Sequence, residues 1–499
     1  MIKKEYLALG LIFALVFSIR LYIAFGDEYL DYDAYFNLRQ AGIIRETGIP
    51  AYNDELSYGG RFFTFLPSFH YLLAGGSYLL APDLVAKILP NLLASLLTIV
   101  VFLVSRELTK NSNASLFSAL LSGFIPIFFA ETIVSASVMS FVVPLLFFLM
   151  YCFMKIQQNS KYVTSYIIFF AILVLAHPIS IVLIMAIYFY LLICKLEKIK
   201  ISQKEIELAI FSAFLWLWAN LMIYKKAILI HGYSVIWQNL PPILYRQNFV
   251  GIDFFQAILM IGVLPFLFGI YIIYKGLYGQ KNKNLYILVA FAVSIAIILW
   301  LKLISLTIGF IFLGAVLAVL FSQFYVKFFY YIQKTKLAHY WPYMVIGLYA
   351  VVIITSLVPS IEAADDNKNM NMPTAAEVEA LAWLRENTPE SSTILASPEE
   401  GHIIAYMAGR KTIADTNFIL IGDLGQRLED INTLYKGRFL TNAVLLLNKY
   451  GVNYIYLSPR TRRALDVDSL AYEDGKCITK VYDSDNIMIY KSSCIVNQN

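Results

Sequence analysis

Long uncharged apolar runs, repeated from one end of the chain to beyond its middle, constrain this sequence more than any other feature. They fall at approximately 5–25, 84–105, 113–131, 136–155, 163–177, 180–195, 206–224, 254–274, 285–301, 303–326 and 340–360. A helix needs about 20 apolar residues to cross a hydrocarbon core of about 30 Å, and only helices or closed barrels satisfy their backbone groups there. Of the 499 residues, 59% are hydrophobic and 15% charged, against about 25% charged in soluble domains. The expected fold class is therefore a polytopic α-helical membrane protein of about eleven spans. The first run has no small-residue cleavage site and further spans follow it, so it reads as an uncleaved helix. The net charge of +5 carries no argument for nucleic acid, because its distribution follows the loops.

Every second loop is basic: Lys3-Lys4, Arg106 with Lys110, Lys155 with Lys161, Lys195 to Lys204, Lys275 to Lys283, and Lys327 to Lys336. The positive-inside rule makes these loops and the N-terminus cytoplasmic. The assignment holds only if Phe65 to Leu80, with Pro67 and His70, is an interfacial or re-entrant helix and not a span. Two extended segments are then external: the acidic loop 26–82, and the tail that follows residue 361. The expected division is a membrane domain over 1–361 and an external domain over 362–499. In the tail, a polar linker (Glu362 to Pro373) precedes an amphipathic helix (Ala375 to Asn387). Short strands follow at Thr393–Ala396, Thr412–Ala414 and Tyr454–Leu457, with a helix at about Gly401–Ala408 and one long polar helix between the last two strands. The pattern predicts a small α/β domain. At its end, ITKVYD and IMIYK flank a turn at Ser484-Asp485-Asn486, which sets Cys477 and Cys494 opposite one another. A disulfide there and two free thiols are both open.

The chemistry concentrates in Asp31-Tyr32-Asp33-Ala34-Tyr35-Phe36-Asn37-Leu38-Arg39. Two carboxylates at i and i+2, just beyond the first span, sit at headgroup height, where a lipid phosphate would present an attached group. A carboxylate there serves as a general base or holds a divalent cation against the phosphate. Arg39 and Arg61 are candidate phosphate contacts. Lys302, between two apolar runs, is another, because an ionisable group inside a membrane is expensive; snorkelling to the headgroups accounts for it equally well. Tyr32, Tyr35 and Phe36 are candidates for stacking on a sugar ring. His177, ahead of Pro178, reads first as a helix cap. The bland reading of the whole loop is a solvated acidic segment that obeys the charge rule.

Asp31 to Arg39, then Gly48-Ile49-Pro50, Ser57-Tyr58-Gly59-Gly60-Arg61 and Pro67-Ser68-Phe69, resemble the first external loop of oligosaccharyltransferase catalytic subunits, archaeal ones especially, of the GT-C superfamily. The tail segments Ala380 to Pro389 and Gly401 to Asp415 resemble the regions around that family's acceptor-recognition motif. The resemblance implies a membrane glycosyltransferase with a polyprenyl-phosphate or pyrophosphate sugar donor, with membrane lipid as its other partner. Asp33 takes the place of the catalytic, metal-contacting Asp, with Asp31 beside it, and Mg or Mn is the implied metal. Arg39, Arg61 and Lys302 are the implied donor-phosphate contacts, and Glu399 and His402 fall at acceptor positions. Three departures weigh against protein N-glycosylation. Ser397-Pro398-Glu399-Glu400 stands where the acceptor motif has its tryptophans and Asp. Val138-Met139-Ser140 stands at the second acidic motif, and Gln238 at a later glutamate. With so few carboxylates a tightly held metal is not expected, and the expected chemistry is sugar transfer with Asp33 as lone base. The alternatives are a divergent oligosaccharyltransferase and a non-catalytic relative; the sugar and the acceptor are not legible.

Overall fold

The structure is a computed structural model, and it describes residues 4–232, 235, 252–277 and 282–495. Gln238 and Arg246 lie outside the described residues. The chain divides into two compact units. One comprises residues 1–28, 66–223 and 246–370; the other comprises 29–65, 224–245 and 371–499.

The first unit is helical. Seven helices among the described residues are long and apolar enough to cross a membrane: Lys4–Phe25, Pro82–Thr109, Pro178–Leu196, Gln203–His231, Lys283–Trp300, Leu306–Gln333 and the long helix beginning at Trp341. Two bent pairs raise the number to nine: Ser112–Gly123 with Pro126–Ile133 (50°), and Phe254–Ile261 with Val263–Gly276 (95°). The bends fall where Pro126 and Pro265 follow, and proline removes a helix donor. Two shorter apolar helices, Met139–Lys155 and Ser160–Val174, occupy the remaining predicted segments. Ser68–Gly76 is a helix of only 9 residues, about 13 Å by the rise of an α-helix, and is too short to span. The architecture is that of a multi-pass membrane protein.

One ion stands out inside this unit. Arg20 of the first helix is fully buried, its Nε donating to Asn91 Oδ1 at 3.0 Å and its Nη2 to Thr132 Oγ1. The amide of Asn91 donates to Lys87 O and Ile133 O, both at 2.8 Å. Three helices are thus pinned through one guanidinium, whose face also lies over the Phe129 ring at 4.9 Å. His177 does act as a cap: its Nδ1 accepts from Ile179 N at 3.1 Å.

The segment 362–373, expected to be a polar linker, is instead mostly helical, within Val358–Asn371. Pro359 stands at its second position, where the missing amide costs little, and a π-turn at Ile353–Leu357 precedes it. Nothing in Glu362 to Asn371 breaks the helix, and Pro373 follows.

The second unit carries two sheets. Strands β1 (Asn53–Asp54) and β2 (Arg61–Phe62) form a short antiparallel pair. The larger sheet has β3 (Thr393–Leu395), β4 (Lys411–Thr412), β5 (Tyr454–Leu457), β6 (Ile478–Ser484) and β7 (Ile487–Ser492), in the order β4-β3-β5-β7-β6. Strand β3 runs parallel to β4 and β5, while β7 is antiparallel to β5 and β6. Strands β3 and β5 are buried along their whole length, as central strands covered on both faces are. The long polar helix is in fact two helices, Leu424–Lys436 and Leu440–Lys449. The break is at Gly437, where a Cβ would lie 2.6 Å from Thr433 O. Cys477 and Cys494 form a disulfide across the base of the β6–β7 hairpin.

Candidate functional site

Residues 29–65 of the acidic loop belong to the second unit, as do residues 371–499. The site is built between these two pieces of chain. Asp31 is buried, and its Oδ1 accepts from Ala34 N at 2.8 Å. It caps the helix Ala34–Thr47, satisfying one of the amides that every helix start leaves open. Asp33 stands at the helix entry with its side chain exposed and makes no capping bond. Its Oδ1 accepts a hydrogen bond from Thr416 Oγ1 at 3.2 Å. The two carboxylates therefore do different work: one fixes the backbone, the other faces outward.

Turn Ser57-Tyr58-Gly59-Gly60 explains its two glycines. Both adopt left-handed conformations, φ +74° and +108°, which side chains other than glycine rarely tolerate. The turn lays the loop on β4, with Thr412 N donating to Leu56 O at 2.7 Å and Gly59 N to Thr412 O at 3.1 Å. It also delivers Arg61 to Asp415. Arg61 Nη2 lies 2.9 and 3.0 Å from the two carboxylate oxygens, with side-chain exposures of 6% and 2% for the pair. Arg61 Nε donates to Ser57 Oγ at 2.9 Å and Nη1 to Asn417 O at 2.6 Å, so all three nitrogens are engaged. Burial acts to raise the Asp415 carboxyl, but His402, Arg61, Ser57 and the Asn417 amide together hold it below the usual carboxylate range. Arg39 pairs with Asp54, and its Nη1 is buried with no hydrogen-bond partner among the described residues.

His402 is buried against Phe36, ring centroids 5.1 Å apart. Its Nε2 lies 3.2 Å from the Asn417 amide nitrogen and its Nδ1 3.9 Å from Asp415 Oδ2. A proton on Nδ1, facing Asp415, lets Asn417 donate to Nε2. Burial lowers the imidazole pKa, while Asp415 and then Asp33 act to raise it. Gly401 permits this packing: a Cβ there would lie 2.3 Å from Ala414 O and 2.8 Å from Asp415 Cβ. Glu399 is exposed, whereas Glu400 is fully buried and bonded to Ser458 Oγ and to Thr461 Oγ1 (2.9 Å). Burial raises Glu400 from its ordinary 4.5 to about 7, against the lowering effect of Ser458 and Thr461. Tyr32 and Tyr35 are buried, and Phe36 half-buried. Lys302 belongs to the first unit, exposed just beyond Trp300 with φ +55°.

Sequence reasoning passed over Asp415, Thr416 and Asn417. The available signal was a carboxylate directly after the buried apolar residues Ile413-Ala414 that follow β4, where a charge is kept only if paired. It also passed over Glu131, the sole carboxylate between Ser112 and Met154, at the end of the first bent pair. Among the described residues, no three His, Cys, Asp or Glu side chains converge so as to hold a metal ion.

The fold has counterparts among solved structures, and part of the chain matches a known family. Residues 66–223 match the family described as dolichyl-phosphate-mannose-protein mannosyltransferase. Among solved structures, the oligosaccharyltransferase AglB from Archaeoglobus fulgidus, in complex with an inhibitory peptide and a dolichol-phosphate, superposes with a TM-score of 0.69 at 15% identity. The match covers 91% of this chain and 70% of that one. ArnT from Cupriavidus metallidurans bound to undecaprenyl phosphate superposes with a TM-score of 0.56 at 11% identity, over 96% and 97% of the two chains. No curated protein matches the chain.

Proposed function

We propose that the chain transfers a sugar from a polyprenyl-phosphate donor to an acceptor on the external face of the membrane, with Asp33 as general base. The observation that carries this reading is the exposed Asp33 carboxylate, presented at a helix entry whose cap is supplied by a different acid, Asp31. In the step, an acceptor oxygen or nitrogen bonds to the anomeric carbon as the bond from that carbon to the phosphate oxygen breaks. The electron pair leaves with the polyprenyl phosphate, and Asp33 takes the acceptor's proton. The lipid phosphates in AglB and ArnT support the donor class. Arg39, whose Nη1 is buried with no hydrogen-bond partner among the described residues, is the proposed phosphate contact. Arg61 is the weaker candidate because Asp415 holds it. The proposed orientation has the N-terminus cytoplasmic and residues 371–499 external. It follows from the alternating basic loops, and the Cys477–Cys494 bond suits an oxidising exterior.

Loss of the acceptor motif, together with the inward turn of Glu400, favours a single-sugar transferase over an oligosaccharyltransferase for Asn-x-Ser/Thr. The test uses purified protein in lipid nanodiscs and a panel of polyprenyl-phosphate-linked radiolabelled monosaccharides, mannose first. Release or transfer of one sugar, lost at least 100-fold in Asp33→Asn, is the expected result. Equal turnover by Asp33→Asn sinks the assignment of the base, and no turnover of any donor sinks the reading as a whole.

A further inference from the structure

Asp33 is exposed, yet a base must hold its oxygen within hydrogen-bond reach of the proton it takes. Its one side-chain bond among the described residues, from Thr416 at 3.2 Å, is modest restraint for that task. The residue before it is anchored far more firmly. Tyr32 is buried, and its hydroxyl donates to Glu377 Oε1 at 2.8 Å. Its backbone N donates to Asn371 O at 3.1 Å, and the Arg460 guanidinium lies 4.7 Å from the centre of its ring. The residue after it, Ala34, is held by Asp31. Glu377 is itself fixed. Its Oε2 accepts from Thr374 N at 2.8 Å and from Thr374 Oγ1 at 2.9 Å, in the capping box that begins the helix Ala375–Asn387.

Resting on the reading of Asp33 as base, we infer that Tyr32 is a positioning residue for the transfer step, keyed by Glu377. Adjacent Cα atoms are about 3.8 Å apart, so a Tyr32 locked on both ring and backbone leaves Asp33 little latitude except at χ1 and χ2. The ring fills space and the hydroxyl sets depth. Removing the hydroxyl strands a buried carboxylate oxygen and lets the loop drift, and a displacement of about 1 Å at a reacting group costs up to about 100-fold in rate. Glu377 thereby has two separable tasks, one oxygen capping a helix and the other holding the loop.

The experiment uses the full chain in nanodiscs with the labelled donor that the wild type turns over. Tyr32→Phe is expected to lower kcat by about 10-fold, with the donor KM unchanged within about twofold. Glu377→Gln, which keeps a hydrogen-bonding partner for Tyr32, is expected to retain most of the activity. Thr374→Ala weakens the helix cap but leaves the Tyr32 bond, so it lowers the thermal midpoint and spares kcat. Wild-type kcat in Tyr32→Phe, with Asp33→Asn inactive, overturns the inference and leaves the base assignment standing. So does a fall in kcat in Thr374→Ala that matches the one in Tyr32→Phe, since that marks a purely structural role. Full activity in Asp33→Asn instead removes the base itself.

Discussion

Arg61 separates two accounts of the acidic loop, because the sequence offers it as a phosphate ligand and the structure sets it as a clamp. The informative change is Arg61→Ala. In the folded chain the guanidinium meets both oxygens of Asp415 at 2.9 and 3.0 Å, with neither side chain more than 6% exposed. Its removal leaves a buried carboxylate with Ser57, the Asn417 amide and a His402 nitrogen 3.9 Å away. Breaking a buried pair in this way costs about 3–5 kcal/mol. For a unit of nearly two hundred residues each kcal/mol moves the midpoint by about 2–4 °C, so the expected fall is roughly 6–20 °C. Intrinsic fluorescence on heating in nanodiscs reads the midpoint, and limited proteolysis within 371–499 reads local opening. Arg61→Lys is expected to fall between, because one ammonium cannot replace a fork that serves Asp415, Ser57 and Asn417 together. Asp415→Asn in the Arg61→Ala background is expected to restore part of the loss, since it removes the stranded charge. An unchanged midpoint with a donor KM raised tenfold refutes the clamp and returns Arg61 to the phosphate.

Glu400 gives a pH signature of the opposite kind to Asp415. Its pKa is raised from 4.5 to about 7, so its stabilising contribution is complete below pH 4.5 and is lost as pH rises through 7; the difference is about 3 kcal/mol. Thermal midpoints from pH 4.5 to 8 are expected to lose this slope in Glu400→Gln. Gly401→Ala forces a Cβ within 2.3 Å of Ala414 O; backbone cannot yield there, and a loss of about 1–3 kcal/mol with displaced Asp415 is expected. A wild-type melting curve would contradict that close approach. Because no three His, Cys, Asp or Glu side chains converge among the described residues, EDTA is expected to leave sugar release within twofold of the untreated rate. A tenfold loss restored by Mg or Mn would show that the lone-base mechanism is wrong.

The membrane part was legible because its signal is length and hydropathy, which need no partner: each predicted apolar run is helical for most of its length, two of them as bent pairs. The acidic loop was legible as a location but not as a wiring diagram. Asp31 and Asp33 read alike in sequence, and only the helix entry between them makes one a cap and the other an outward-facing acid. The pairing of Arg61 could not be read from the sequence because its partner Asp415 lies 354 positions away, and no local pattern reports such a pairing. Glu400 could not be ranked above its neighbour Glu399, since burial of one of two adjacent carboxylates depends on which side of a short turn meets Ser458. The missed break at Gly437 and the helix through 362–371 are errors of another sort. Polar composition suggested loop in one case and continuity in the other, where chain sterics decided.

The separation of Arg61 from Asp415 also sets a timetable for biogenesis. Ribosomes add about 5–20 residues per second, so the two side chains are made roughly 20–70 s apart. Throughout that interval the loop carrying Asp33 has been made, but Thr412, Asp415 and Glu377, which give it shape, do not yet exist. The nascent loop is therefore a client for whatever guards half-made membrane proteins. A ribosome that stops before residue 415 yields a chain with most of its spans and no finished site.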